Sequence, residues 1–478
     1  MIHLSPIDIA LIAAYFIGVV FVGFRASRRK KSGADDFILA GRTLTLPMFV
    51  ATLVSTWYGG ILGVGEFSYR FGLSNWIVFG VPYYVFALVF ALFLAKRVRA
   101  SNLTSIPEKL EAAYDRTAAI IGGGLTFVLV TPAAYVLMLG VLARLMFGVN
   151  LAVGVIITTA ITVVYLFSGG FRSDVWANAL EFVLMFLGFA LMVGFAVHHY
   201  GGWEFLRSHV PALHLTWHGG NSWQFIAIWF FIALWTLVDP AFHQRCFAAK
   251  DPATAQRGIL VSILFWFVFD FLTTASGLYA RAALQHLDDP SLSYPLLAEA
   301  TLPSVAKGLF YIGMLATIMS TLSSLMLISG ITVGKDIMGR VRRVGSDEAS
   351  VKRWTNFGMV CAALVSVCLA LLLPSVVSLW YTVGTCVVPG LLIPVLASYS
   401  RRFGMSAMGA KSIMLTAPLL STAWLLAGQL NSRGDGGVYP YGIEPMYPGL
   451  LAALVGWIID RIAVGAKRLS ANRPTEVK

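Results

Sequence analysis

The segment from Gly308 to Ser324 is an apolar run that ends in hydroxyls: Thr317, Ser320, Thr321, Ser323 and Ser324. At helical spacing Ser320 shares a face with both Ser323 and Ser324. Hydroxyl and carbonyl oxygens are hard ligands that suit a small cation such as sodium. The plainer reading is that each hydroxyl bonds a carbonyl of its own helix or of a neighbour. Five ionisable groups also fall in apolar runs: Glu66, Glu181, Asp239, His243 and Asp270. Such groups are costly in a bilayer and usually functional. Glu66 and His243 lie near the ends of their runs, where solvation explains them. Asp239 and Asp270 lie deeper, and their plainer role is a structural pair with Arg144, His243 or backbone donors. Trp57, Tyr58, Trp76, Trp229, Trp235, Trp266 and Trp380 read first as belt or packing residues. Cys246, Cys361, Cys368 and Cys386 show no metal or disulfide spacing and read as buried, inert thiols. No paired nucleophile and base, metal motif or phosphate loop stands out, which argues against an enzyme.

The elements that must hold these groups are membrane helices. The 478 residues are 58% hydrophobic and 12% charged, half the charge of a soluble domain. Apolar runs of about 20 residues recur along the chain, each long enough to cross a bilayer as a helix. Thirteen spans are expected, near 7–25, 46–69, 75–95, 118–143, 150–168, 175–198, 223–242, 258–280, 303–334, 355–373, 375–398, 412–429 and 446–466. The first run is followed by Arg25, Arg28, Arg29, Lys30 and Lys31 and by no small-residue cleavage site, so it reads as a retained span rather than a signal peptide.

With the N-terminus outside, 29 of the 35 Lys and Arg residues fall on inside segments. The exceptions are Arg70, Arg144, Arg207, Arg281, Lys307 and Arg433. This asymmetry predicts an odd span number and an inside C-terminus. It also assigns the net charge of +12 to topology and anionic lipid, not to nucleic acid. The largest outside stretches, about 199–222 and 430–445, are too short for a folded domain.

Two spans are interrupted. Span 2 carries Gly59, Gly60, Gly63 and Gly65, which weaken a helix by about 1 kcal/mol each against alanine. Span 7 carries Asp239-Pro240, where proline removes a helical hydrogen bond. Glycine packing and ordinary proline kinks account for either one alone. Their separation by five spans suggests two matched halves, as in transporters with inverted repeats. The expected organisation is 1–44 as an extra span and loop, 45–200 and 201–400 as the two repeats, and 401–478 as two last spans and a tail.

Five stretches resemble the sodium/solute symporter family. Asp35-Asp36-Phe37-Ile38-Leu39-Ala40-Gly41-Arg42 is similar to its "FLAGR" segment. Asn102 to Glu111 is similar to "T-x-P-E-x-L-E". Ser168-Gly169-Gly170-Phe171-Arg172 with Trp176 is similar to "GG-x-x-A-V-x-W-T-D". Gln244-Arg245 through Ala248-Ala249-Lys250 to Ala255 and Gly258 resembles "QR-x-x-A-A-K…A…G". Leu315 to Ser323 resembles "L-A-A-x-M-S-T-x-S". The resemblance implies an all-α membrane fold with a five-plus-five inverted-repeat core whose first and sixth helices are broken. It implies a sodium site of Ser320 and Thr321 hydroxyls with carbonyls of Thr317, Ser55 and Tyr58. Some members hold a second sodium; here its positions would be Asn178, Glu181, Ser323 and Ser324. Many members have an acid where Asn178 stands, so one sodium is favoured.

Asp239 matches a polar position on the broken helix of relatives. Phe79 and Trp266 replace polar groups of the sugar carriers, which argues against a sugar. The solute is expected against Trp57, Gly59, Gly60, Phe79, Trp235, Asp239, Trp266 and Asp270. An aromatic pocket with these acids suits a cationic or zwitterionic solute.

The expectation is therefore a sodium-coupled symporter of a small organic solute in the inner (plasma) membrane, working by alternating access. Its partners are the solute, sodium and the bilayer, with no obligate protein partner evident. Proton coupling through Asp239, Asp270 or Glu66 is the alternative within the class. A solute sensor that moves nothing is the alternative outside it, and the short tail leaves no room for a signalling domain.

Overall fold

The computed structural model describes residues 2–28, 33–342, 347–373, 375–400, 402–430 and 438–471. Arg29, Lys30, Lys31, Arg343, Arg401, Arg433, Arg473 and Lys478 lie outside these, as do the side chains of Ser168, Lys467 and Arg468. The described residues are helices and connecting segments, with one isolated bridge between Leu44 and Ala249. The principal helices are α1 (Pro6–Ser27), α2 (Leu46–Trp57), α3 (Ile61–Phe71), α4 (Trp76–Ala100), α5 (Arg116–Val130), α6 (Ala133–Phe147), α7 (Leu151–Tyr200), α8 (Trp223–Ile232), α9 (Trp235–Val238), α10 (Pro240–Ala248), α11 (Pro252–Ala283), α12 (Ala306–Ile331), α13 (Glu348–Leu372), α14 (Val376–Ser398), α15 (Ala407–Leu430) and α16 (Met446–Ala471).

Eleven described helical runs are long and apolar enough to cross a membrane. The pair α2 and α3, bent by 61°, makes a twelfth. The expected span 150–168 corresponds to a shorter apolar helix, Leu151–Val164, so the count of thirteen is not reached on length and composition. Residues of this helix and the next span form one run, α7, which breaks at Gly170 (φ 54°, ψ −141°). Only glycine fits there: a Cβ would stand 2.4 Å from the Phe37 carbonyl oxygen. Span 4 is also broken, between α5 and α6, where Pro132 cannot continue the ladder.

α12 is the centre of the molecule: its apolar window is wholly buried. It is apolar on all sides because it meets protein on all sides. α1 and α16 lie at the rim, with 28% and 17% of their windows buried, and present Ile17, Phe21, Leu451 and Ile462 outward. α1 is started by a capping box: Ser5 Oγ accepts from the Asp8 amide and Asp8 accepts from the Ser5 amide at 2.9 Å. In lipid there is little hydrophobic drive between helices, so close packing and polar contacts carry the association. The four cysteines are unpaired, and Cys368 lies exposed on α13 rather than buried.

Candidate cation and solute sites

The glycines of span 2 end α2 at Trp57, and α3 begins only at Ile61. Carbonyls in the last turn of a helix lack intrahelical partners. Here the hydroxyls of α12 reach them. Ser320 Oγ lies 2.9 Å from the Ser55 carbonyl and 2.9 Å from the Thr317 carbonyl. Thr321 Oγ1 lies 2.6 Å from the Thr56 carbonyl and 3.4 Å from that of Ser55. All five residues are buried. Gly59 makes the approach possible, since a Cβ there would stand 2.2 Å from Thr321 Oγ1. Ser55, Thr317, Ser320 and Thr321 thus converge. Thr56 supplies the carbonyl that Thr321 contacts most closely. Tyr58 turns its ring onto Phe269 at 4.5 Å. The Thr317 side chain makes the plainer bond, to the Gly313 carbonyl of its own helix.

One turn further along α12 lies a second oxygen cage. Its acid is Asp174, a residue not singled out in the sequence because it stood just outside the expected start of span 6. Ser323 Oγ donates to Asp174 Oδ1 at 2.7 Å, and Ser324 Oγ lies 2.8 Å from Oδ2. Asn178 joins through its amide nitrogen, 3.0 Å from Ser324 Oγ and 2.9 Å from Thr52 Oγ1. Glu181 does not join. It accepts from Tyr15 of α1 at 3.0 Å, and its Oε2 has no hydrogen-bond partner among the described residues. The cage contains a cation of the chain itself, the Arg245 guanidinium, with Nη2 3.3 Å from Asp174 Oδ2. Arg245 belonged to the charges assigned to topology, yet both partners are fully buried. The sequence signal for it was the Gln244-Arg245 motif on the second half of a broken span.

Beside these clusters lies a cavity of about 120 Å³. Trp57, Tyr58, Gly60, Phe79, Trp235, Asp239 and Asp270 line it, together with Tyr83, Tyr135, Trp229, Phe242 and Trp380. Gly59 sits against Thr321 and Tyr135 at its edge. Trp266 is not in the lining; it packs behind Trp57 and Phe242 at 5.9 and 5.8 Å. Asp239 ends the break of span 7 by capping α10. Its Oδ1 accepts from the amides of Ala241 at 2.7 Å and Phe242 at 3.0 Å, the backbone-donor role of the plainer reading. Asp270 accepts from Tyr84, whose hydroxyl in turn accepts from Trp76 at 3.1 Å. Among the described residues the lining holds two carboxylates and no Lys, Arg or His. His243 lies outside it, with Nδ1 donating to the Asp239 carbonyl at 2.9 Å. Glu66 lies midway along α3 rather than at a helix end; its side chain is 23% exposed and pairs with half-exposed Arg70 at 3.1 Å.

The model of the sodium:solute symporter family matches residues 37–416. The chain belongs to that family. It is a membrane transporter of the sodium:solute symport type and not an enzyme, and the family is the one its motifs resembled. The symporter is 24% identical over 471 residues to the osmoregulated proline transporter OpuE of Bacillus subtilis, covering 92% of this chain and 93% of the relative. It is 24% identical to the sodium/pantothenate symporter of Escherichia coli, covering 94% and 95%. It is also 24% identical to the high-affinity choline transporter 1 of Drosophila melanogaster, covering 86% and 72%. Its fold matches that of a Na+-coupled sialic acid symporter solved in a substrate-bound outward-open state, with a TM-score of 0.80 at 16% identity over 95% of this chain and 98% of that one.

Proposed function

We propose that this symporter couples one sodium ion to a small organic solute that is a cation or a zwitterion. Sodium is held by the carbonyls of Ser55, Thr56 and Thr317 and the hydroxyls of Ser320 and Thr321. The solute sits in the aromatic cavity, its positive group facing Asp239 and Asp270 and the ring faces of Trp57, Tyr83 and Trp235. The observation that carries the reading is that Thr56 and Thr321 belong to both places. Each contributes to the oxygen set, and each lines the cavity. An ion that fixes these two residues fixes part of the solute's wall, so each ligand favours the other.

The chain is read as two inverted repeats, 45–200 and 201–400, rocking about this site. The charge asymmetry supports an outside N-terminus and an inside C-terminus, and the family supports a place in the plasma membrane. Proteoliposome uptake tests the coupling. Replacing sodium by potassium at fixed pH should abolish concentrative uptake; uptake that persists and follows a proton gradient would move the coupling to Asp239 or Asp270. A thermal-shift screen of amines, amino acids and carboxylates, with and without sodium, tests the solute class. Stabilisation by neutral or anionic compounds alone would sink the cation reading.

A further inference from the structure

We propose that Arg245 is a tethered cation filling the second oxygen cage, and that it limits this carrier to one sodium ion. This rests on the sodium reading above. Four oxygens surround one guanidinium nitrogen. Nη2 lies 2.6 Å from Ser324 Oγ, 2.8 Å from Thr56 Oγ1, 3.1 Å from Thr52 Oγ1 and 3.3 Å from Asp174 Oδ2. Hydroxyls and a carboxylate are what a sodium ion would take there.

The guanidinium is anchored from two other sides. Nη1 donates to Gln244 Oε1 at 3.1 Å, and the group lies 5.2 Å from the Phe171 ring. Asp174 and Arg245 are both without exposure, and together they are neutral. A sodium ion added to this cage would be an uncompensated buried charge, which costs several kcal/mol. The first oxygen set differs: it is built from uncharged oxygens and, among the described residues, contains no cation of the chain.

The contact also has a place in the cycle. Arg245 stands on α10, past the break at Asp239. Its partners stand on α2, α7 and α12. The Thr56 hydroxyl oxygen accepts from Arg245 and its carbonyl accepts from Thr321, so the tethered charge borders the proposed sodium site through one residue. Neutralising Arg245 leaves Asp174 as an unpaired buried acid among hydroxyls, and that arrangement calls for a mobile cation.

The test is equilibrium binding of radiolabelled sodium, alone, to the purified full-length carrier. The native chain should bind about one ion per chain with a Hill coefficient near one. Arg245→Gln should gain a second site. The double variant Asp174→Asn/Arg245→Gln, neutral again, should return to one. Arg245→Lys, which keeps the charge, should also bind one. Two ions in the native chain, or one in a folded Arg245→Gln variant, would overturn the proposal. Should Arg245→Gln not fold, the native count and the double variant decide. No saturable sodium binding in any form would instead sink the coupling reading itself.

Discussion

At the scale of single residues, the hydroxyls of α12 do two kinds of work. Thr317 bonds its own helix, while Ser320 and Thr321 reach across to carbonyls freed by a broken neighbour. Sequence spacing showed that hydroxyls were concentrated there; which of them turned outward depended on α2. Ser320→Ala with Thr321→Ala removes two oxygen contacts worth about 1 kcal/mol each, so the half-saturating sodium concentration should rise about 10- to 30-fold. Uptake titrated against sodium checks this, and an unchanged midpoint refutes the site. Asp239→Asn separates charge from structure. Asparagine caps a helix about as well as aspartate, so α10 should keep its start. Affinity for a cationic solute should fall about tenfold or more, since a partly desolvated ion pair carries over 1.4 kcal/mol. A thermal-shift titration reads both quantities: stability without solute should hold while the solute-induced shift shrinks.

Among the elements, the breaks matter more than the spans. α2 stops at Trp57 because Gly59 and Gly60 follow, and the stop exposes the carbonyls that α12 uses. Gly59→Ala would put a methyl group 2.2 Å from Thr321 Oγ1 and 2.7 Å from the Tyr135 ring. Sodium-dependent uptake should fall by at least an order of magnitude in a variant that still inserts, because the oxygen set is pushed apart. Uptake equal to the native rate would show that the close approach is not needed. Gly170 has a different duty. Its positive φ and its contact with Phe37 hold the break in α7, so Gly170→Ala should cost about 1–3 kcal/mol of stability. Thermal unfolding in detergent measures that loss. The breaks at Gly59-Gly60 and Asp239-Pro240 were legible in the sequence because glycine and proline act locally. The break at Pro132 passed unread inside a run of unbroken hydropathy, and the one at Gly170 lay between two expected spans.

The molecule as a whole places the oxygen set and the cavity on either side of shared residues, Thr56 and Thr321. If they couple there, the coupling is reciprocal. The factor by which saturating sodium tightens the solute should equal the factor by which saturating solute tightens sodium. Calorimetry of each ligand with and without the other measures both factors, and unequal values would place the linkage elsewhere. The membrane class, the breaks of spans 2 and 7 and the hydroxyl cluster were determined by the sequence alone. Each follows from local chemistry: about 20 apolar residues match a bilayer's thickness, and glycine or proline disrupts its own helix. Only the tertiary structure decided the company these groups keep. It brought Asp174 to Ser323 across 149 positions, hid Arg245 among oxygens and gathered aromatics from several spans around two carboxylates. Hydropathy placed Asp174 and Arg245 at the margins of their spans, as ordinary soluble charges. Burial belongs to the packing of helices distant in sequence, and no local window of residues contains it.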